Sequence, residues 1–190
     1  MMSLEIQRLF NVEGRVSVVT GGSRGIGRMI AEGFVSNGIK TYITARKRDA
    51  CNQAAEELNQ LSSGECISLP ADLSTAEGRT KFVDDLTSRE DKLDVLVNNA
   101  GAAWGAHFEH YPDEAYDKVM DINVKAIFTL TRDLMPLLRN KSSRQQPSRV
   151  INIGSIDGLR VSPMDNFAYG ASKAAVHFLT KNLALRFGPK

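Results

Sequence analysis

The sequence predicts an α/β fold: one doubly wound parallel sheet in three layers, with helices on both faces. Three observations predict it. Short apolar runs alternate with longer amphipathic segments along the chain. The apolar runs are nearly unbroken, as strands covered on both faces require. A glycine-rich turn joins the first apolar run to the first amphipathic segment. At 190 residues the chain has the length of one domain, 1–190, large enough to bury a core.

The elements follow in order. RVSVVTG (15–21) reads as the first strand and 25–37 as its helix, entered through the glycine turn. KTYITAR (40–46) and ECISLPAD (65–72) give strands two and three, followed by helices at 49–62 and 74–90. DVLVNNAG (94–101) is the fourth strand, and the amphipathic stretch 112–139 after it is long enough for two helices or one bent one. NKSSRQQPS (140–148) is a polar surface loop, SRVINIGS (148–155) the fifth strand, and 167–186 the last helix. In a doubly wound sheet these five strands take the order 3-2-1-4-5, and the full six-stranded version adds one more beyond the fifth. The sixth and later strands are therefore expected to be missing, which leaves the fifth strand with an uncovered apolar edge.

Composition narrows the function classes. The chain is 42% hydrophobic and 24% charged with a net charge of +2, too little to attract nucleic acid or an anionic membrane surface. Its basic residues are scattered and no apolar run is long enough to span a bilayer. Cys51 and Cys66 have no metal-ligand spacing and read as small reduced residues of the core or the surface. His107, His110 and His177 form no ligand pattern, so no metal site is expected. The N-terminal MMSLEIQRLFNVEGR lacks the apolar core of a signal peptide, and a cytoplasmic chain is expected.

The chemistry begins at VVTGGSRGIGRMIAEGF. Gly21, Gly25 and Gly27 allow a tight turn and close backbone approach, and the helix that follows offers free N–H groups and a positive dipole end to a pyrophosphate. The end of the second strand selects the dinucleotide. A site for NAD places an acid there to hold the ribose 2′-hydroxyl. Here TARKR supplies Arg46 and no acid, and Arg24 lies in the glycine loop. Two guanidiniums favour a 2′-phosphate, hence NADP(H).

TGGSRGIG, NNAG (98–101), Asn123, Ser155 and YGASK (169–173) occur in that order, each on its expected element. In this set the chain resembles the short-chain dehydrogenase/reductase family, with its Rossmann-like sheet, and it resembles that family throughout its length. The finer likeness, carried by NNAGAAWGAHFEHYP, INIGSIDGLRV and YGASKAAVHFLTKNLA, is to a branch containing rhamnolipid-type 3-oxoacyl-acyl-carrier-protein reductases. The resemblance implies that Tyr169 donates a proton with Lys173 as its partner, that Ser155 orients the substrate carbonyl, and that Asn123 holds a water-linked proton path. It implies a cofactor site lined by Thr20, Gly21, Ser23, Arg24, Gly25, Ile26, Gly27, Arg46, Asp72, Leu73, Asn98, Ala100, Gly101, Tyr169 and Lys173. It implies a small carbonyl or alcohol substrate and a homo-oligomer in the full-length form. Family members continue past the last helix, so the chain is expected to be incomplete at its C-terminal end.

The chemistry explains these residue types. Carbonyl reduction needs a hydride and a proton for the developing alkoxide. A free phenol ionises near about 10, and bringing it to about 7 takes roughly 4 kcal/mol. An exposed pair one turn apart on a helix supplies only about 0.2–0.5 kcal/mol. An ammonium about 4 Å away in a sheltered cleft supplies roughly the required amount. Ser155 ends a strand at the mouth of the sheet, where its hydroxyl can donate to a carbonyl oxygen. Ser162 and Ser172 are the alternatives for that role. Leu159 and Met164, in the loop after Ser155, are candidates to contact an acyl group, and Trp104 is a candidate either to touch substrate or to form a hydrophobic cap over the cleft. Two readings stay open: an NADPH-dependent reductase, or a truncated, non-catalytic product that binds dinucleotide or regulates a heteromer.

Overall fold

A computed structural model describes residues 11–61 and 64–188. The N-terminal ten residues read for a targeting signal lie outside the described residues, as does residue 62 at the end of the second expected helix. The five strands are β1 (Val16–Thr20), β2 (Lys40–Thr44), β3 (Cys66–Ser68), β4 (Val95–Asn98) and β5 (Arg149–Asn152). All pairings are parallel and the order is β3-β2-β1-β4-β5. The helices are α1 (Gly25–Ser36), α2 (Arg48–Leu61), α3 (Ala76–Thr87), α4 (Asp113–Met120), α5 (Ala126–Asp133), α6 (Met135–Arg139) and α7 (Phe167–Phe187).

Period-two side-chain alternation builds the three layers. Val16, Val18, Tyr42 and Leu96 face one way and pack with Phe82, Leu86, Leu130, Leu134 and Leu138 of the α3, α5 and α6 layer. Val19, Ile43, Val95 and Val97 face the other way, against Ala31, Val35, Cys51, Ala54 and Leu58 of α1 and α2. Cys51 and Cys66 are buried, free thiols in this second cluster. Burial pushes Cys51 up to about 11 and Cys66 up to about 12.

Two elements depart from the sequence reading. The third strand stops at Ser68 because Pro70, which has no N–H to donate, follows, although Leu69 and Ala71 still bond to the Ile43 and Ala45 carbonyls. The stretch 112–139 is three helices, not one or two. A π-turn at Asp121–Lys125 separates α4 from α5, and Leu134 (φ −89°, ψ 0°) before Pro136 separates α5 from α6. As expected of an outer strand, β5 leaves Val150 and Ile151 exposed.

At the N-terminal end of the strands, Tyr42 donates to Glu90 at 2.6 Å while Lys40 pairs with the same carboxylate oxygen at 2.7 Å. Burial, with the Glu90 hydrogen bond, pushes the Tyr42 phenol up to about 12. Tyr42→Phe is expected to destabilise the fold by about 1.5–3 kcal/mol, the worth of a hydrogen bond to a charged group, as read by denaturant titration. No described helix is long and apolar enough to cross a membrane.

Candidate active site

The chain leaves β1 at Thr20 and must reverse into α1 within a few residues. Gly21 (φ 68°) and Gly25 (φ 56°) take the left-handed conformations that this turn requires. Gly27 is needed for a different reason: a Cβ there would overlap the Gly21 carbonyl oxygen and the Asn99 amide. Gly27→Ala is expected to lower stability by about 1–3 kcal/mol through overpacking, measured by denaturant titration. Asn99 pins the turn from the next strand, donating to the Thr20 carbonyl at 2.9 Å. The Thr20 hydroxyl in turn accepts the Asn99 and Ala100 amides, both at 2.9 Å. No side chain caps α1 and no acid stands in its first turn, so its N–H groups and positive dipole end remain available to an anion.

The expected cofactor residues divide into two groups. Arg24, Gly25, Ile26, Arg46 and Gly101 are exposed, and Gly21, Ser23, Asp72 and Ala100 are partly exposed. Thr20, Leu73 and Asn98 are 2, 4 and 2% exposed, with side chains spent inside the protein, so what they offer a ligand is main chain. Leu73 packs in the core, and Asn98 bonds to Asn152 at 2.8 Å. Burial pushes the Asp72 carboxyl up. Two hydrogen bonds from Ser74, with Arg46 and Lys118 nearby, outweigh it and hold the group below its usual range. Arg24 and Arg46 have no salt-bridge partner among the described residues.

Tyr169 and Lys173 sit one turn apart near the start of α7. Lys173 is 5% exposed, yet its ammonium donates to the Ile153 carbonyl at 2.7 Å and lies 5.6 Å from the centre of the Tyr169 ring. Burial pushes its pKa below the usual lysine value. Tyr169 is half-buried, and its hydroxyl has no hydrogen-bond partner among the described residues. Ser155, two residues beyond Ile153, is also half-buried; its hydroxyl oxygen accepts the Asp157 amide at 3.2 Å, which leaves the O–H free to donate.

Asn123 is fully buried in the π-turn. Its side chain accepts the Ala102 amide at 2.8 Å and donates to the Ala102 carbonyl and the Ser172 hydroxyl, both at 2.9 Å. Ser172 passes this on to the Tyr169 carbonyl at 2.7 Å. Both N–H bonds of the Asn123 amide and one acceptor position of its oxygen are engaged within the protein, and through Ser172 the side chain braces the start of α7. Ser172, buried and bonded on both sides, is not placed to meet a substrate. Ser162 accepts the Met164 amide at 3.2 Å just as Ser155 accepts that of Asp157, so its O–H is equally free; what sets Ser155 apart is its place two residues beyond Ile153, whose carbonyl holds Lys173. Asn99, Gly22 and Asp157 were not singled out from sequence. A Cβ on Gly22 would run into Ile43, and the second Asn and second Gly of their motifs were the only signals available.

Near the mouth, Leu159, Val161 and Met164 are exposed, and Trp104 stands half-exposed on the opposite loop. The two loops meet through Ala106, which donates to the Asp165 carbonyl at 3.1 Å, and through edge-to-face contact of Phe108 with Phe167. No group of three or more His, Cys, Asp or Glu among the described residues is arranged to hold a metal ion.

Residues 15–190 match the model of the short chain dehydrogenase family. The chain belongs to that family. This short-chain dehydrogenase is 45% identical over 175 residues to the rhamnolipids biosynthesis 3-oxoacyl-[acyl-carrier-protein] reductase of Pseudomonas aeruginosa, covering 92% of this chain and 68% of that one. A solved Pseudomonas aeruginosa RhlG–NADP active-site complex superimposes with a TM-score of 0.90 at 44% identity, over 95% of this chain and 70% of that one. L-sorbose reductase from Gluconobacter frateurii, solved with NADPH and L-sorbose, gives 0.86 at 30% identity, over 93% and 65%.

Proposed function

We propose that this short-chain dehydrogenase binds NADP(H) and reduces a ketone, of the 3-oxoacyl class, with Tyr169 delivering the proton. The observation that carries the reading is the buried Lys173 ammonium lying 5.6 Å from the centre of the Tyr169 ring and held by the Ile153 carbonyl, two residues before Ser155, whose hydroxyl keeps a free proton. The fit of the dinucleotide rests on the uncapped start of α1, on the backbone approach that Gly27 permits, and on two exposed arginines that form no salt bridge among the described residues. The bound dinucleotide supplies the hydride.

The chain's own residues do the rest. Ser155 donates to the carbonyl oxygen, polarises it and fixes its position. Tyr169 gives its proton as negative charge builds on that oxygen, and the Lys173 ammonium stabilises the phenolate left behind. The Ile153 carbonyl anchors the ammonium, and the Asn123–Ser172 bridge holds the first turn of α7 in place. The 3-oxoacyl class is supported by the similarity to the Pseudomonas aeruginosa reductase and by the exposed apolar residues Leu159, Val161 and Met164 in the loop after Ser155, which suit an acyl chain.

The test follows NADPH absorbance with 3-oxoacyl thioesters of increasing chain length, with simple ketones and sugars in parallel. Oxidation of NADPH that is fastest with the thioesters supports the reading. Tight NADPH binding with no oxidation in the presence of any carbonyl would remove it.

A further inference from the structure

We infer that Asn152 and Thr180 are positioning residues, the middle and end of a part-buried relay that sets where α7 lies along β5 and so where Lys173 meets Tyr169. The inference rests on the proposed reduction only for its kinetic readout. Asn98 on β4 donates to the Asn152 side-chain oxygen at 2.8 Å. Asn152 on β5 donates to the Thr180 hydroxyl at 2.9 Å, and Thr180 donates to the Val176 carbonyl of its own helix at 2.7 Å. Each member donates to the next, so one continuous relay runs from β4 through β5 to α7.

Three features separate it from ordinary core polarity. The Asn98 side-chain oxygen is buried without a partner. The Asn98 amide also donates to the Thr131 hydroxyl at 3.4 Å, so both of its N–H bonds are engaged while its oxygen is left unsatisfied, which is costly in itself. Second, Asn152 directly precedes Ile153, whose carbonyl holds the Lys173 ammonium, and Thr180 lies two turns beyond Lys173. The helix is thus tied to the strand at two neighbouring residues. Third, α7 approaches closely enough that a Cβ on Gly158 would overlap the Lys173 backbone and one on Gly154 would overlap the His177 ring. A helix seated that tightly moves as a body, and a slip at Thr180 is felt at Lys173.

Thr180→Val removes the hydroxyl at nearly constant volume, and Thr180→Ser restores it; neither changes an ionisable group. Thr180→Val is expected to lower kcat about ten- to a hundredfold with the NADPH dissociation constant unchanged, and Thr180→Ser to return most of it. Independently of turnover, the Lys173 side chain is followed by NMR in lysine-labelled protein, assigned with Lys173→Met. In Thr180→Val its titration is expected to move up by at least about half a unit, as looser seating lets water reach the ammonium. Unchanged kcat and an unchanged Lys173 titration overturn the inference, even if the melting temperature drops, since that is the mark of a merely structural bond. If the wild-type protein reduces no carbonyl, the proposed function fails on its own, and the Lys173 titration still decides the relay.

Discussion

Tyr169→Phe is expected to reduce turnover by about 10²–10⁴-fold, the span measured for a positioned general acid, while NADPH affinity stays within about twofold. The structure says why so small a change should act on chemistry alone. The Tyr169 hydroxyl has no hydrogen-bond partner among the described residues, so removing it strands no buried donor or acceptor. The ring remains, and with it the contact with Lys173 at 5.6 Å. The melting temperature should therefore match the wild type. A loss of turnover that came with a loss of stability would point instead to a packing role for the phenol. Turnover at the wild-type rate would mean that the proton comes from another group.

Lys173→Met provides the contrast. It removes a 5%-exposed ammonium together with its bond to the Ile153 carbonyl, and both rate and stability should change. The pair of variants separates the group proposed to transfer the proton from the group that also holds the site together.

The sheet and its order were legible because strand periodicity is local. Val16 and Val18 alternate with Val19, and the two clusters they join are the two sides of the sheet. The glycine turn was legible because left-handed backbone and close approach leave a residue-level mark. What could not be read is what arises between distant positions. Asn123 finds Ala102 at a separation of 21 residues and Ser172 at 49, and Asn98 finds Asn152 at 54. A motif match gave these asparagines roles toward ligands, whereas their side chains brace the scaffold. The π-turn at 121–125 also escaped the sequence, because the apolar period of Ile127, Leu130 and Leu134 runs on after it and conceals a single extra residue in the turn. Two other departures were within reach. Pro70 and Pro136 each announce the end of an element, and a stricter use of proline would have shortened the third strand and divided the long helix.

Arg46→Asp is expected to weaken NADPH binding about a hundredfold and NADH binding far less, reversing or erasing the preference between the two dinucleotides. The size follows from the loss of one charge-assisted hydrogen bond to a phosphate, about 1.5–3 kcal/mol, with repulsion from the new carboxylate added. Three structural facts favour Arg46 as the determinant. It directly follows β2 and the Ala45 position, at the end of the strand where the ribose is read, and it is exposed. It has no salt-bridge partner among the described residues. It also lies close enough to Asp72 to help hold that carboxyl below its usual range. The last fact sharpens the test. An aspartate at position 46 would remove that help and place a second acid near the first, so the Asp72 pKa should rise in the variant. Arg24 remains in the glycine loop and would soften the loss, so Arg24→Ala combined with Arg46→Asp should exceed either alone. Calorimetry with both dinucleotides measures these differences directly. An unchanged ratio of affinities in the double variant would show that the 2′-phosphate is held elsewhere, by Lys47 or Arg48 in the same exposed run.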